Sequence, residues 1–317
     1  MLASLPSAGT AQALNDHDNA PLTGIFGFQN SIEGGSLTGQ GRHGVNLASV
    51  ISSHSIVKIG TDEQVTFDGE TTRLGLLYRY GVSDRLELGF ELPYMWHESG
   101  NLDSIVNGWH RIFGLPNGSR NLLENDQINF EYISGSGEQV GLSQSSSGLG
   151  DIRLLGGLYL FGSETSSTAL RFSVKVPTGD SDRLHGSGGT DLSIGIAADF
   201  SSLWGVEPLN GFYRISGTTI GEPDFLRDRY RSFVGKASGG LGFQLTRVLE
   251  LRAQATLRTP SYVSEINALG DSSAMLSFGA NFRLSESYRL SLGVSEDINV
   301  STAPDVTFII ALDYHGE

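Results

Sequence analysis

The chain has 317 residues, of which 42 are glycine and only 18% are Asp, Glu, Lys or Arg, and its formal net charge is −14. Such a negative charge excludes a general nucleic-acid binder. The absence of cysteine excludes a disulfide framework and a thiolate zinc site. Glycine at about twice its average usage, with few charges, favours strands joined by tight turns.

The first 42 residues carry no clear strand. Residues 1–13 end in Ala11-Gln12-Ala13, a pattern of signal-peptide cleavage sites, and are interpreted as the residual part of a signal peptide. Residues 14–42 are polar and glycine-rich. We expect them to form an N-terminal periplasmic segment or a plug.

Residues 43–314 alternate between apolar and polar side chains. In the clearest stretch, Leu88, Phe90 and Leu92 share one face, and Glu87 and Glu91 share the other. Alternation of this kind is typical of strands that are apolar on one side. Twelve strands are predicted, at 43–57, 70–81, 84–96, 150–161, 167–177, 190–201, 208–218, 231–245, 248–259, 272–284, 287–297 and 304–314.

The connections between these strands alternate in length. Long connections are predicted at 58–69, 97–149, 178–189, 219–230 and 260–271, with short ones between them. Short periplasmic turns, long external loops and an even strand number are typical of outer-membrane barrels. The alternative is a soluble sandwich or lipocalin-like barrel, but arginine in mid-strand favours a polar lumen. The predicted fold is all-β: a single antiparallel transmembrane β-barrel of about 12 strands.

The longest connection contains the one clear helical period. Leu102, Val106 and Trp109 fall on one face of a short helix, in the external loop between strands 3 and 4. A lone helix of this length must bury its apolar face, either at the barrel mouth or at the lipid interface. We expect the mouth, with a constriction built from Trp109, His110, Phe113, Pro116 and Arg120. Arg120 is expected to pair with an acid such as Glu91.

The polar face of the strands supplies the candidate lumen. Its residues with an expected selectivity role are Arg73, Glu87, Glu91, Arg153, Arg171, Lys175, Arg214, Lys236, Arg252 and Arg258. The same face adds the cations Arg79, Arg85, Arg283 and Arg289 and the acids Asp151, Asp191, Asp199, Glu250, Asp305 and Asp313. These charges are either structural ladders paired across strands or the source of an anion preference.

Catalysis has little support in the sequence. His54, His97 and His110 are expected near the external rim, but no nucleophile elbow, Ser-x-x-Lys or metal-ligand spacing accompanies them. We therefore predict no catalytic residues, no metal and no cofactor.

Residues 67–120 resemble the core of an uncharacterised family of proteobacterial outer-membrane β-barrels, catalogued only as a domain of unknown function. The matching elements are Asp68-Gly69-Glu70, Tyr80-Gly81, Glu87-Leu88, Leu92-Pro93-Tyr94, Trp109-His110, Phe113-Gly114-Leu115-Pro116 and Arg120. Gly148–Asp151 (GLGD) and Lys175–Asp180 (KVPTGD) are similar to motifs of outer-membrane barrels of the phenol-pathway transporter type. The resemblance implies a barrel over 43–314 in the outer membrane of a Gram-negative bacterium, but no activity or functional residues.

The function predicted from the sequence is a monomeric outer-membrane channel or transporter for small, anionic solutes. Its expected partners are outer-membrane lipids, lipopolysaccharide and the barrel-assembly machinery, and nucleic acid is not among them. The alternatives are an outer-membrane enzyme that acts on lipid and a plugged barrel without flux.

Overall fold

The computed structural model describes residues 13–17, 19–27, 33–113, 120–124, 126–298 and 302–316. Its strands are β1 (His43–Ile59), β2 (Glu63–Ser83), β3 (Leu86–Glu98), β4 (Asn129–Ser134), β5 (Gln139–Leu142), β6 (Ser146–Leu149), β7 (Ile152–Ser163), β8 (Ser166–Val176), β9 (Asp191–Phe200), β10 (Leu209–Thr219), β11 (Phe233–Gln244), β12 (Leu249–Arg258), β13 (Ser273–Arg283), β14 (Tyr288–Asp297) and β15 (Val306–Gly316). The α-helices are α1 (Asp103–Phe113) and α2 (Asn267–Gly270). No helix among the described residues combines the length and apolar character needed to cross a membrane.

Twelve of these strands close into an antiparallel barrel. β1, β2, β3 and β7 to β15 pair in chain order, and β15 returns to β1 with His43 opposite Gly316 and Ser53 opposite Val306. The three shorter strands extend the wall at one end, where β4 and β6 pair with β2 and β3 and β5 pairs with β4. The prediction of an all-β, twelve-stranded barrel is confirmed. The short helix predicted between its third and fourth strands, which are β3 and β7, is α1.

Side chains alternate between the outer and inner faces of the wall, as the alternation of apolar and polar residues predicts. On β3, Leu88 is 45% exposed on the outer face, whereas Glu87 and Glu91 are buried on the inner face. On β12, Leu251 and Leu257 are exposed and Arg252 is buried. The barrel is therefore apolar outside and polar inside, as a wall that faces lipid requires.

The connection between the first two strands was predicted wrongly as a long loop over 58–69. β2 already begins at Glu63, and Gly60 donates a backbone hydrogen bond to Glu63 O across a three-residue turn (2.7 Å). β4 pairs with the first residues of β2 and satisfies their backbone hydrogen bonds beyond the reach of β3. The acidic residues of this stretch hid the alternation that Val65 and Phe67 continue.

The N-terminal segment, defined here as the described residues 13–17, 19–27 and 33–41, lies inside the barrel. Leu14 N donates to Gln254 Oε1 on β12 (3.0 Å), and Asn19 Nδ2 donates to Val50 O on β1 (2.9 Å). The chain then returns to the end of the barrel with the short turns, where Gly41 N donates to Gly81 O (2.8 Å). The segment therefore climbs towards the end with the long loops and comes back to join β1.

An apolar cluster, the cap cluster, fills the barrel at the end with the long loops. The N-terminal segment contributes Leu22, Ile25 and Phe26, all buried. The strands and loops contribute Ile56, Val65, Phe67, Met95, Phe130, Tyr132, Leu184, Ile220, Phe225, Leu226, Val234, Tyr262, Ile266, Ala268 and Leu269. The tip of the segment is thus packed into the one large apolar region of the interior that the described residues form.

The loop between β8 and β9 is fixed by a buried ion pair. Lys175 Nζ lies 2.7 Å from Asp151 Oδ2 and 3.2 Å from Asp191 Oδ2. Asp151 also accepts hydrogen bonds from Gly179 N (2.9 Å) and Ser187 N (3.0 Å). The acid of GLGD and the lysine of KVPTGD therefore meet, and their contact holds the loop in place.

We predict that Asp151→Asn releases this loop. Removing one partner of a buried ion pair leaves Lys175 undercompensated and lowers the free energy of unfolding by about 3 kcal/mol. Trypsin cleavage after the exposed Arg183 becomes faster, as followed by mass spectrometry. The control is Glu222→Gln, which removes an exposed ion pair with Arg227 and changes stability by at most about 0.5 kcal/mol. Equal cleavage rates in both variants would contradict the prediction.

Candidate functional site

The inner wall carries a band of buried charges. The ten predicted lumen residues, Arg73, Glu87, Glu91, Arg153, Arg171, Lys175, Arg214, Lys236, Arg252 and Arg258, are each at most 7% exposed. Arg85 and Arg283, which were predicted on the same face, are exposed. Arg85 lies in the turn before β3, and Arg283 is the last residue of β13, opposite Arg289 in the β13–β14 register.

Arginines from neighbouring strands share the two glutamates of β3. Glu91 Oε1 lies 2.6 Å from Arg73 Nη2, and its Oε2 lies 3.1 Å from Arg153 Nη2. Glu87 Oε1 lies 2.6 Å from Arg171 Nη1 and 3.8 Å from Arg79 Nη1. Arg153 sits directly opposite Glu91 in the β3–β7 register, a position at which opposite charges stabilise a sheet.

The N-terminal segment supplies further counter-charges. Asp16 Oδ1 lies 3.1 Å from Lys236 Nζ, and Glu33 Oε1 lies 2.5 Å from Arg153 Nη2. No role was predicted for Asp16 and Glu33, because neither lies in an alternating stretch. The excess of cations over acids on the predicted inner face was the signal that other acids had to enter the lumen.

The return arm of the segment, residues 33–41, is also held by hydrogen bonds to the wall. Arg171 donates to Gly34 O (2.7 Å) and Ser36 O (2.9 Å). Asp199 Oδ2 accepts from Ser36 N (3.0 Å), and Glu87 Oε2 accepts from Thr38 N (2.6 Å). The wall charges therefore bind both the side chains and the backbone of the segment.

The pairing predicted between Arg120 and Glu91 is wrong. Arg120 lies 2.5 Å from Asp103 Oδ1 and 3.0 Å from Asp305 Oδ2, and its Nη2 donates to Ser53 Oγ (2.9 Å). Glu91 is already occupied by Arg73 and Arg153. Ser53 is six residues from the exposed Leu47 on β1, so both side chains are on the outer face of the strand. Arg120 therefore anchors the loop to the outer side of the wall.

The rest of the predicted constriction falls outside the described residues. The backbone of Trp109, His110 and Phe113 belongs to α1, but their side chains and the whole of Pro116 are not described. A constriction at these residues stays a prediction.

Buried histidines pack against the cap cluster, where His54 and His97 contact the ring of Phe130 edge-on. Thr71 Oγ1 lies 3.2 Å from His54 Nε2 and 3.0 Å from His97 Nδ1, and His97 Nε2 donates to Leu184 O (3.0 Å). In the loop after β8, His185 Nε2 lies 3.1 Å from Ser146 Oγ, and burial lowers the pKa of His185. Within the described ranges, no carboxylate is hydrogen-bonded to the ring of His185, and no group of three His, Asp or Glu is placed to hold a metal.

The protonation of Asp305, in the loop before β15, affects the free energy of unfolding. Burial raises the pKa of Asp305 from 3.8 to about 6, although the ion pair with Arg120 opposes the shift. The folded chain thus holds this proton more tightly than the unfolded chain does. The contribution of Asp305 to the free energy of unfolding therefore falls as the pH rises from about 4 to about 6.

We predict that Asp305→Asn removes this pH dependence. Relative to the unsubstituted chain, the variant gains on the order of 2–3 kcal/mol between pH 4 and pH 7, because it carries no group that must lose a proton in the buried position. Thermal unfolding in detergent, followed by circular dichroism at each pH, measures the difference. Asp182→Asn, a change at an exposed acid of another loop, serves as the control. A difference from the unsubstituted chain that is constant across this pH range would contradict the prediction.

Comparison with known proteins gives a family and a fold. The family model described as "Protein of unknown function (DUF3187)" matches residues 7–315. The COG4313 outer membrane channel from Pseudomonas putida F1 is similar in structure, with a TM-score of 0.55 and 14% identity over 87% of this chain and 95% of that one. No curated protein matches the sequence.

Two further solved barrels are more distant. The NanC porin has a TM-score of 0.47 and 8% identity, over 86% of this chain and 98% of that one. The toluene transporter TbuX from Ralstonia pickettii has a TM-score of 0.44 and 11% identity, over 98% of this chain and 96% of that one.

Proposed function

The chain belongs to the DUF3187 family, whose description assigns no function, and we propose that it is an outer-membrane channel for small solutes that its own N-terminal segment closes. The observation that carries the proposal is the occupation of a charged lumen by the N-terminal segment. In this proposal the short turns face the periplasm of a Gram-negative bacterium and the long loops face outward. Outer-membrane lipids and lipopolysaccharide surround a monomer that the barrel-assembly machinery inserts.

The contacts of the segment suit a part that moves. Apart from the tip in the cap cluster and the buried Ala13 and Leu14, it is held by ion pairs and hydrogen bonds to a polar wall. Several buried polar atoms at this boundary have no hydrogen-bond partner, among them Asn15 Nδ2, both ring nitrogens of His17 and Asp199 Oδ1. A fixed core leaves few such atoms, because each costs free energy.

The wall supports a preference for anions. The inner face of the barrel has more cations than acids, and two of the acids that neutralise them, Asp16 and Glu33, belong to the segment. When the segment moves aside, the wall is left with a surplus of positive charge, which attracts anions and repels cations.

One observation favours a second candidate, a barrel that is closed permanently and serves a structural role. The tip residues Leu22, Ile25 and Phe26 are almost completely buried, as in a stable core. A permanent plug predicts no current whether or not the segment is tethered to the wall. A gate predicts a current that tethering abolishes.

We predict that a disulfide between the segment and the wall abolishes conductance. The chain has no cysteine, so Ser36→Cys with Asp199→Cys introduces one pair, at positions where Ser36 N and Asp199 Oδ2 lie 3.0 Å apart. Single-channel current in planar bilayers is expected to fall to background in the oxidised protein and to return on reduction. The comparison is made within one variant, so the lost charge of Asp199 affects both states equally.

Two controls complete the test. Ser36→Cys alone must not respond to oxidation, and deletion of residues 13–36 must raise conductance while heat-modifiable migration shows a folded barrel. Current that is the same in both redox states would refute gating by the segment. No current in any form, including the deletion, would refute the channel and support the permanently closed barrel.

A further inference from the structure

A cavity lies between the N-terminal segment and the wall of β7 to β10, and its lining includes the exposed Phe172, Ile194, Ile196 and Ile215 as well as inward-facing residues. Its volume is about 50 Å³. Gly27 and Glu33 border it from the segment, and Arg153, Arg171 and Arg214 border it from the wall. The remaining inward wall positions beside the arginines are small, such as Ser173 and Ser193. Three guanidinium groups thus face a single space.

The cations around this cavity outnumber their partners. Arg73, Arg79, Arg153 and Arg171 share only Glu33, Glu87 and Glu91. Arg214 is 7% exposed, and no carboxylate of the described residues lies within ion-pair distance of it. Its Nε and Nη1 are buried without a hydrogen-bond partner.

Arg214 makes a cation–π contact with the ring of Phe212, with 4.9 Å from Cζ to the ring centroid. A cation–π contact is weaker than a charge-assisted hydrogen bond. A buried guanidinium with two free donors is costly unless an anion compensates it. These two nitrogens of Arg214 are therefore available to donate hydrogen bonds to an anion.

Glu33 shows which anion the neighbouring arginine accepts. Its carboxylate lies against Arg153 Nη2 at 2.5 Å, yet it belongs to the segment and not to the wall. A planar guanidinium presents paired donors that match the two oxygens of a carboxylate. The segment thus places a carboxylate at the edge of the cavity that Arg214 borders.

We propose that Arg153 and Arg214 form a binding site for small carboxylate solutes, and that Glu33 occupies part of it as an internal competitor. The claim that this site binds a solute of the channel rests on the proposed function. The claim that it binds small carboxylates does not depend on flux through the barrel.

Binding at this site is coupled to the return arm. Arg171, the third arginine of the cavity, is saturated by Glu87 and by the carbonyl oxygens of Gly34 and Ser36. Gly34 directly follows Glu33, and Ser36 lies two residues further along the chain. A carboxylate that displaces Glu33 from Arg153 therefore loosens the same stretch of chain that Arg171 holds against the wall.

The test measures succinate binding to the full chain in detergent micelles by isothermal titration calorimetry. Glu33→Gln removes the competing charge and is expected to bind succinate at least about 10-fold more tightly than the unsubstituted chain, the effect of one charge-assisted hydrogen bond. Adding Arg214→Gln to Glu33→Gln is expected to cancel this gain. Adding Arg283→Gln instead, which removes one positive charge at the exposed end of β13, is expected to leave it unchanged.

Folding of each variant is checked by circular dichroism and heat-modifiable migration, and Arg214→Gln removes a cation without breaking an ion pair, so it should fold. Equal affinities with and without Glu33, or an equal loss in the Arg214 and Arg283 variants, would overturn the site. Tighter binding of inorganic phosphate than of succinate, with the same dependence on Arg214, would overturn the choice of carboxylate. Succinate binding without conductance in any variant would refute the channel alone, and conductance without binding would refute this site alone.

Discussion

A closed barrel with a charged inner wall can be stable only if those charges find partners inside it. In this chain the requirement is met by three sources of carboxylate: the glutamates of β3, acids on the other strands, and Asp16 and Glu33 of the N-terminal segment. The third source makes the segment part of the electrostatics of the wall. A chain that lost this segment would have a barrel of the same topology but a strongly positive lumen.

The two ends of the barrel are built on different physics. At the end with the long loops, the cap cluster buries apolar side chains, while the Asp151–Lys175 pair fixes the loop after β8. Towards the other end, the interior is a polar network in which Arg171, Glu87 and Asp199 contact the backbone of the return arm. The described interior is therefore largely apolar at the end with the long loops and polar towards the end with the short turns.

The sequence predicted the wall well, because a barrel that faces lipid forces a strict alternation over strands of ten or more residues. It also placed all ten lumen residues of the predicted site on the inner face. The prediction failed in the parts of the chain that do not alternate between apolar and polar side chains. The first connection was taken for a loop because the partner strand of its second half, β4, lies about 65 residues away in sequence. The pairing of Arg120 was missed because it depends on how a loop folds back onto the barrel. The path of residues 13–41 through the lumen leaves no periodic trace at all.

Only charge counting could have pointed to that path. Counting inward cations against inward acids leaves a surplus, and the closed geometry requires that something neutralise it. The motifs GLGD and KVPTGD are a similar case. Each is weak alone, and their meaning appears only when Asp151 and Lys175 meet across neighbouring strands.

The two arms of the N-terminal segment differ in what it costs to move them. The tip buries Leu22, Ile25 and Phe26, and exposing three such side chains costs roughly 5–9 kcal/mol. The return arm is held by the ion pair of Glu33 with Arg153 and by hydrogen bonds, and those that involve a charged group contribute about 1.5–3 kcal/mol each. In the proposed channel, opening therefore requires both that the return arm leaves the polar wall and that the tip leaves the cap cluster. An anion that binds beside Arg153 and Arg214 would compete with the first set of contacts and not with the second.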